Sequence, residues 1–236
     1  MALKLISDFV DYYDHAFSTD GSPFVRNSKG GPNRIEALNM MSAVGLEVPK
    51  HGYVKDLHAD LQKGVTNKRK FSKYSGVVHL VVYTDLQAHR GEGKELMTLR
   101  KAFKKFPDAY ASQYLPSGGH GTHGTDASSE TLRCQVIGDE VIWMVFHSDD
   151  KWRSNCGKVD ISYISGMDNL YKGMENIQLP FYAIDFVSPY GRHGANDLIA
   201  IDLNVAPGLQ NTPVQEMYSP TEIAQHITRK HQEINW

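Results

Sequence analysis

Residues 198–205 read LIAIDLNV, and the fold follows from how that octet alternates. Side chains two apart on a strand point the same way, so Asp202 and Asn204 share one face while Ile199, Ile201, Leu203 and Val205 share the other. An apolar face that complete has to be core, because a slip of one residue would send all four side chains into water. The polar face then presents a carboxylate and an amide oxygen together. Upstream, residues 180–187 read PFYAIDFV, a second strand from which Asp185 projects in the same way. Set antiparallel beside the first, it brings three hard oxygen donors together. Such a set suits magnesium holding a polyphosphate rather than zinc, which prefers nitrogen and sulfur. Ala206, Pro207 and Gly208 form a rigid turn that pins the end of the site.

Working outward, LRCQVIG and VIWMVFH flank Gly138 and Asp139 and read as a β-hairpin. Val77–Tyr83 is a β-branched strand, followed by the polar, glycine-bearing TDLQAHRGEG. From Lys94 onward, Leu96, Leu99, Phe103 and Phe106 predict one face of a helix that Pro107 stops, and Ala109–Leu115 predicts a short strand. Two capping boxes mark helix starts: Asn33 with Glu36 ahead of Ile35, Leu38, Met41 and Val44, and Ser219 with Glu222, where Pro220 takes the first helical position. Gly45 ends the first of these helices, and Pro49 fits a turn or an edge strand. The order of helices and strands indicates an α+β architecture.

Composition narrows the function classes. The chain has 236 residues, 41% hydrophobic and 22% charged, as in an ordinary globular protein. A net charge of -2 argues against a nucleic-acid partner, whose phosphates need clustered cations; the run KGVTNKRKFSK (63–73) reads as a solvated loop. The longest apolar runs are too short to span a bilayer and Met1–Val10 lacks the features of a secretory signal, so a cytoplasmic location is expected. Cys134 and Cys156 have no neighbouring cysteine with which to build a metal knuckle and read as reduced packing residues. His120 and His123 in GGHGTHGT lack a third ligand and read as loop residues, within a stretch expected to be mobile. No P-loop is present, so a nucleotide needs another cradle.

Several segments, in order, resemble those of ATP-grasp ligases. IAIDLNVAPGL (199–209) is similar to the closing magnesium strand of that superfamily, and LRCQVIGDEV followed by DDKWRSN resembles the hairpin and RxN segment of its amino-acid and peptide ligase branch, which includes the ribosomal-protein glutamate ligase. NRIEALNMMSAVGLEVPKHGYV (33–54) resembles the helix and VP step at the family's entry. The likeness runs from about Asn33 to Leu209 and is more specific in its C-terminal half. It implies an α+β ATP-grasp fold of two lobes with the nucleotide between them. Residues 1–32 are then an N-terminal helix and irregular segment, 33–112 the N-terminal lobe, and 113–236 the C-terminal lobe with the magnesium strands and a closing helix.

Carried over position by position, the resemblance implies that Asp185, Asp202 and Asn204 hold Mg2+ against ATP. Arg133 then lies near the phosphates, and Arg153 and Asn155 face the γ-phosphate and the acyl group. Gln113, Tyr114 and Leu115 match the linker whose backbone reads the adenine edge, with Gln113 standing where the family usually has a glutamate. AHRGEGKE matches the phosphate-covering loop, where Gly91 and Gly93 permit close backbone approach and Arg90 and Lys94 supply charge. Three features depart from the pattern. Tyr83 stands where relatives commonly place an ATP-binding lysine, Gly157–Val159 replace a more basic continuation, and the N-terminal α/β domain has no counterpart in residues 1–32. The implied activity is ATP-dependent ligation of a small-molecule or peptide carboxylate to an amine through an acyl-phosphate. The departures keep open a nucleotide-binding or interaction protein with reduced catalysis, and a kinase on another acceptor.

Overall fold

The computed structural model describes residues 32–66, 78–86, 92–116, 129–189, 198–205 and 207–234, without the side chains of 62–66. Helix α1 (Arg34–Ala43) opens on its capping box: the Asn33 side chain accepts from the Ile35 and Glu36 N–H groups, and Glu36 accepts from the Asn33 N–H. Strand β1 (His51–Tyr53) follows, then α2 (Val54–Thr66), β2 (His79–Tyr83), β3 (Lys94–Thr98), α3 (Leu99–Lys105) and β4 (Tyr110–Gln113). These strands form one antiparallel sheet in the order β1-β4-β2-β3. Leu80 and Val82 of β2 face α2 and α3, where they meet Val54, Leu57, Leu61, Met97, Leu99, Ala102 and Ala111.

The helix expected from Lys94 is therefore shorter. Lys94–Thr98 pairs with β2, from Tyr83↔Lys94 to His79↔Thr98, and the helix begins only after Thr98, whose hydroxyl caps the Lys101 N–H. Gly93 sets this up: at φ +60 it turns the chain, and its carbonyl accepts from both the Thr84 and Asp85 N–H groups, closing a β2–β3 hairpin. The spacing of Leu96 and Leu99 fits a helix, but partnership with a neighbouring strand prevails.

A second antiparallel sheet has the order β7-β6-β5-β8-β9, built from β5 (Ser129–Ile137), β6 (Glu140–Ser148), β7 (Val159–Tyr163), β8 (Phe181–Val187) and β9 (Ile199–Asn204). On one face Leu132, Cys134, Val136, Trp143, Ile184 and Phe186 pack with Ala37, Leu38 and Met41 of α1. On the other, Ile137, Ile142, Met144 and Phe181 lie under α4 (Val214–Met217) and α5 (Pro220–Ile234). The second capping box is formed as expected, Ser219 and Glu222 exchanging hydrogen bonds at the start of α5. The β5–β6 turn holds Gly138 at φ +64, where an added Cβ would come within 2.4 Å of the His226 carbonyl oxygen of α5. Only glycine fits there.

The β8–β9 ladder corrects one expectation. Asp185 pairs with Asp202 and Phe186 with Ala200, so Ile201 is the extra residue of a β-bulge. Ala200 and Leu203 join the buried core in place of the regular series, and Ile201 faces the same opening as Asp202. Among the described residues no helix is long and apolar enough to cross a membrane.

Candidate functional site

The end of the second sheet that α5 leaves uncovered forms one wall of a cleft, and the first sheet forms the other. Val81, Tyr83, Lys94, Ser112, Gln113, Tyr114 and Leu115 line it from the first sheet and its exit. Ser129, Thr131, the segment Trp152–Asn155, Asp185, Ile201 and Asp202 line it from the second. Helix α1 joins the two walls: the Arg34 N–H donates to the Leu86 carbonyl beside the β2–β3 turn, while its side chain reaches Asp202.

Asp185 and Asp202 are direct cross-strand partners, so two carboxylates stand side by side. Like charges at that range repel unless neutralised. Each has an arginine. Arg133, the register partner of Asp185 on β5, donates from Nε to Oδ1 at 2.7 Å and from Nη2 to Oδ2 at 2.9 Å, and its guanidinium lies 4.4 Å from the Phe146 ring centre. Arg34 Nη1 donates to Asp202 Oδ1. The side chains are only 10–18% exposed, so both pairs are shielded ion pairs rather than surface contacts. Burial opposes ionisation of Asp202, but Arg34, Lys94 and Arg133 outweigh it and hold the carboxyl below its usual range. Burial, with Arg34 adding to it, pushes the Lys94 ammonium down to about 8, against the pull of Asp202 and Asp185.

Three nearby features position the remaining candidates. Asp150 Oδ1 accepts from the Trp152 and Arg153 N–H groups, and its Oδ2 accepts from Arg153 Nε and Nη2. Arg153 also lies 5.2 Å from the Trp152 ring centre, and Thr131 ties the segment to β5 by donating to the Ser154 hydroxyl. The Tyr83 hydroxyl lies 2.9 Å from that of Ser112, and burial raises its pKa. The Gln113 and Tyr114 N–H groups are engaged by the Lys50 and His79 carbonyls.

Of the residues singled out from sequence, Lys94, Gln113, Tyr114, Leu115, Arg153, Asn155, Asp185 and Asp202 line this one cleft, with Arg133 joined to it through Asp185. Asn204 lies two residues beyond Asp202, opposite Ala183 and outside the lining, and Gly93 acts in the hairpin. Gly91, Arg90, His120, His123 and most of the basic run fall outside the described residues. Sequence reading passed over Arg34, although a signal existed. A cation in the first turn of a helix opposes the helix dipole, which calls for a specific partner.

Two carboxylates and an amide are hard oxygen donors, and each carboxylate retains lone pairs beyond those taken by its arginine. Among the described residues no group of three or more His, Cys, Asp or Glu gathers. The donor types thus fit magnesium only if the ligand supplies further oxygens.

No protein-family model matches the sequence, and no curated protein matches it. Solved structures do show similarity. A Chryseobacterium gregarium RiPP-associated ATP-grasp ligase, in complex with ADP and a leader and core peptide, aligns over 80% of this chain and 56% of its own, at 11% identity and a TM-score of 0.42. D-alanyl-alanine synthetase A from Vibrio cholerae aligns over 84% and 64%, at 11% identity and a TM-score of 0.47. The macrocyclase MdnC from Microcystis aeruginosa, bound with precursor peptide MdnA, aligns over 80% and 56%, at 13% identity and a TM-score of 0.43. The chain spans 56–64% of the length of these three structures.

Proposed function

We propose that the chain is an ATP-dependent carboxylate-amine ligase, with lobes 33–112 and 113–236, acting in the cytoplasm on a small-molecule or peptide acid and an amine. One observation carries this reading: the cleft sets Lys94 of one sheet against Arg133, Asp185 and Asp202 of the other, with Arg153 at its rim. That is the charge pattern required by a polyphosphate and the hard cation that travels with it. Val81 and Ile201 give a flat base two apolar contacts. With the N–H groups of Gln113 and Tyr114 already engaged, its polar edge is left to Leu115 and to backbone carbonyls.

In the reaction, a carboxylate oxygen attacks the γ-phosphorus and ADP leaves, giving an acyl-phosphate. The amine nitrogen then attacks the acyl carbon, inorganic phosphate leaves and the nitrogen loses a proton. Lys94 and Arg153 stabilise charge on the transferred phosphoryl oxygens, and Asn155 donates toward the acyl group. Asp185 and Asp202, with Asn204 beyond them, would hold Mg2+, which would supply positive charge against the polyphosphate. Arg133 holds the Asp185 carboxylate in place through its two hydrogen bonds.

The test is ADP release with and without mixed amino acids and peptides. Release that needs both an acid and an amine is expected, and Asp202→Asn should lower it by about a hundredfold or more, the usual scale for removing one electrostatic contact from a transition state. Release that ignores the amine favours a kinase. A second reading, nucleotide binding without turnover, has its own observation: at the position of the usual lysine Tyr83 is buried against Ser112 and brings no charge. Nucleotide binding with no ADP released would favour it.

A further inference from the structure

The two ion pairs at the acidic strands differ in how they are made. Arg133 and Asp185 come from hydrogen-bonded neighbouring strands and meet fork to fork, both carboxylate oxygens taken, with the guanidinium also seated on Phe146. Planar bidentate contact of this kind fixes both partners. Arg34 comes from a helix start outside the sheet and meets Asp202 through Nη1 and Oδ1. Its remaining guanidinium donors and the second oxygen of Asp202 take no part in that contact. The Arg34 backbone is tied to Leu86 on the opposite wall, and its charge is felt by Lys94 there. Around the two carboxylates stand three cations, Arg34, Lys94 and Arg133, an excess that favours an anion. A hard cation that enters between them competes with these three for the charge of the carboxylates.

We propose that Arg34 is an exchangeable counter-ion: it neutralises Asp202 while the cleft is empty, and on arrival of a divalent cation with a polyphosphate it yields Asp202 to the cation and turns its guanidinium to the phosphate. The proposal rests on the functional reading above, for it assigns Arg34 a role within that site. A cation arriving alone competes with Arg34 for the charge of Asp202 and leaves a buried guanidinium less well paired. A cation arriving with a polyphosphate brings Arg34 a new partner. Arg34 thereby couples the two ligands, and such coupling is reciprocal. Arg133, locked by its fork and by Phe146, stays in place.

The probe is Mn2+ alone, titrated into the full chain and followed by electron paramagnetic resonance with no nucleotide present. Coupling between two ligands is commonly worth about fivefold or more, so Arg34→Gln should bind Mn2+ more tightly than the native chain by about that factor, and Arg34→Lys should fall between them. Asp202→Asn should bind more weakly than native, and adding Arg34→Gln to it should give no gain. The Arg34→Gln chain should also lose affinity for ADP in the presence of Mg2+, opposite in sign to its gain for the bare cation. Circular dichroism checks folding, and the lysine variant retains the charge should the glutamine variant unfold. Equal or weaker Mn2+ binding by both folded Arg34 variants overturns the proposal and leaves Arg34 a structural contact. Failure of every variant, native included, to bind either Mn2+ or ADP overturns the functional reading along with it.

Discussion

The two walls of the cleft meet the same space with different chemistry. The four-stranded wall is satisfied from within: the Tyr83 hydroxyl meets Ser112, and the N–H groups of Gln113 and Tyr114 are taken by the carbonyls of Lys50 and His79. Apart from Lys94 it offers shape and apolar surface. The five-stranded wall holds two adjacent carboxylates, each neutralised by an arginine, so its polar groups depend on one another for the right to be buried. Breaking a pair on the second wall should therefore cost far more than breaking a hydrogen bond on the first.

Arg133→Ala tests the larger side of that contrast. It leaves Asp185 beside Asp202 with no fork to neutralise it, and loss of one partner of a buried pair costs about 3–5 kcal/mol in unfolding free energy. Urea unfolding measures it. A loss below about 1 kcal/mol would mean that the pair behaves as an exposed one and that the two walls do not differ in this way. Replacing Arg133 and Asp185 together by Met and Leu should recover much of the loss, since apolar residues of similar volume often match a buried pair.

Lys94 is the cation that the first wall contributes, and its effect should show in pH. Its ammonium sits at about 8, against an ordinary 10.5, because burial and then Arg34 disfavour the charged form. In the free protein the lysine therefore loses its proton as pH rises through about 8, and above that a bound anion has to recruit one. Affinity for ADP should fall with pH above about 8, by up to about tenfold for each unit, whereas Lys94→Arg should hold its affinity through the same range. Stability carries the opposite sign. Between the lowered and the ordinary value the unfolded chain binds the extra proton, so the Lys94 contribution to folding improves as pH rises through that window. Calorimetric titrations with ADP from pH 7 to 10 decide the first point, and a flat native profile would take Lys94 off the anion's path.

How much of this could be read beforehand depended on distance along the chain. The Asn33 and Ser219 capping boxes and the turn at Gly138 were legible because each is decided by residues within a few positions of one another. Lys94–Thr98 was misread because Leu96 and Leu99 fit a helix face, while the strand was decided by β2, with which it closes a hairpin. Ile201 moved to the cleft because of a bulge, which alternation in a single strand cannot reveal. The acidic strands were visible as strands and as acids. Their neutralisation was not, since Arg34 and Asp202 lie 168 residues apart and only the packing of α1 against the second sheet joins them.

The smallest expected effect lies at Tyr83. Its hydroxyl and that of Ser112 satisfy each other inside the first wall, and both residues are buried. Tyr83→Phe removes one partner and leaves the Ser112 hydroxyl unmet, which costs about 1–3 kcal/mol in general. The lower end is expected here, because the β-sheet keeps its backbone bonds and the ring keeps its packing. Adding Ser112→Ala should return most of the loss, since both polar groups are then gone. Affinity for ADP should hardly change in either variant, as neither removes a charge from the cleft. If Tyr83→Phe instead weakens ADP binding as much as Lys94→Ala does, the phenol itself meets the nucleotide, and the first wall recognises its ligand through side chains as well as shape.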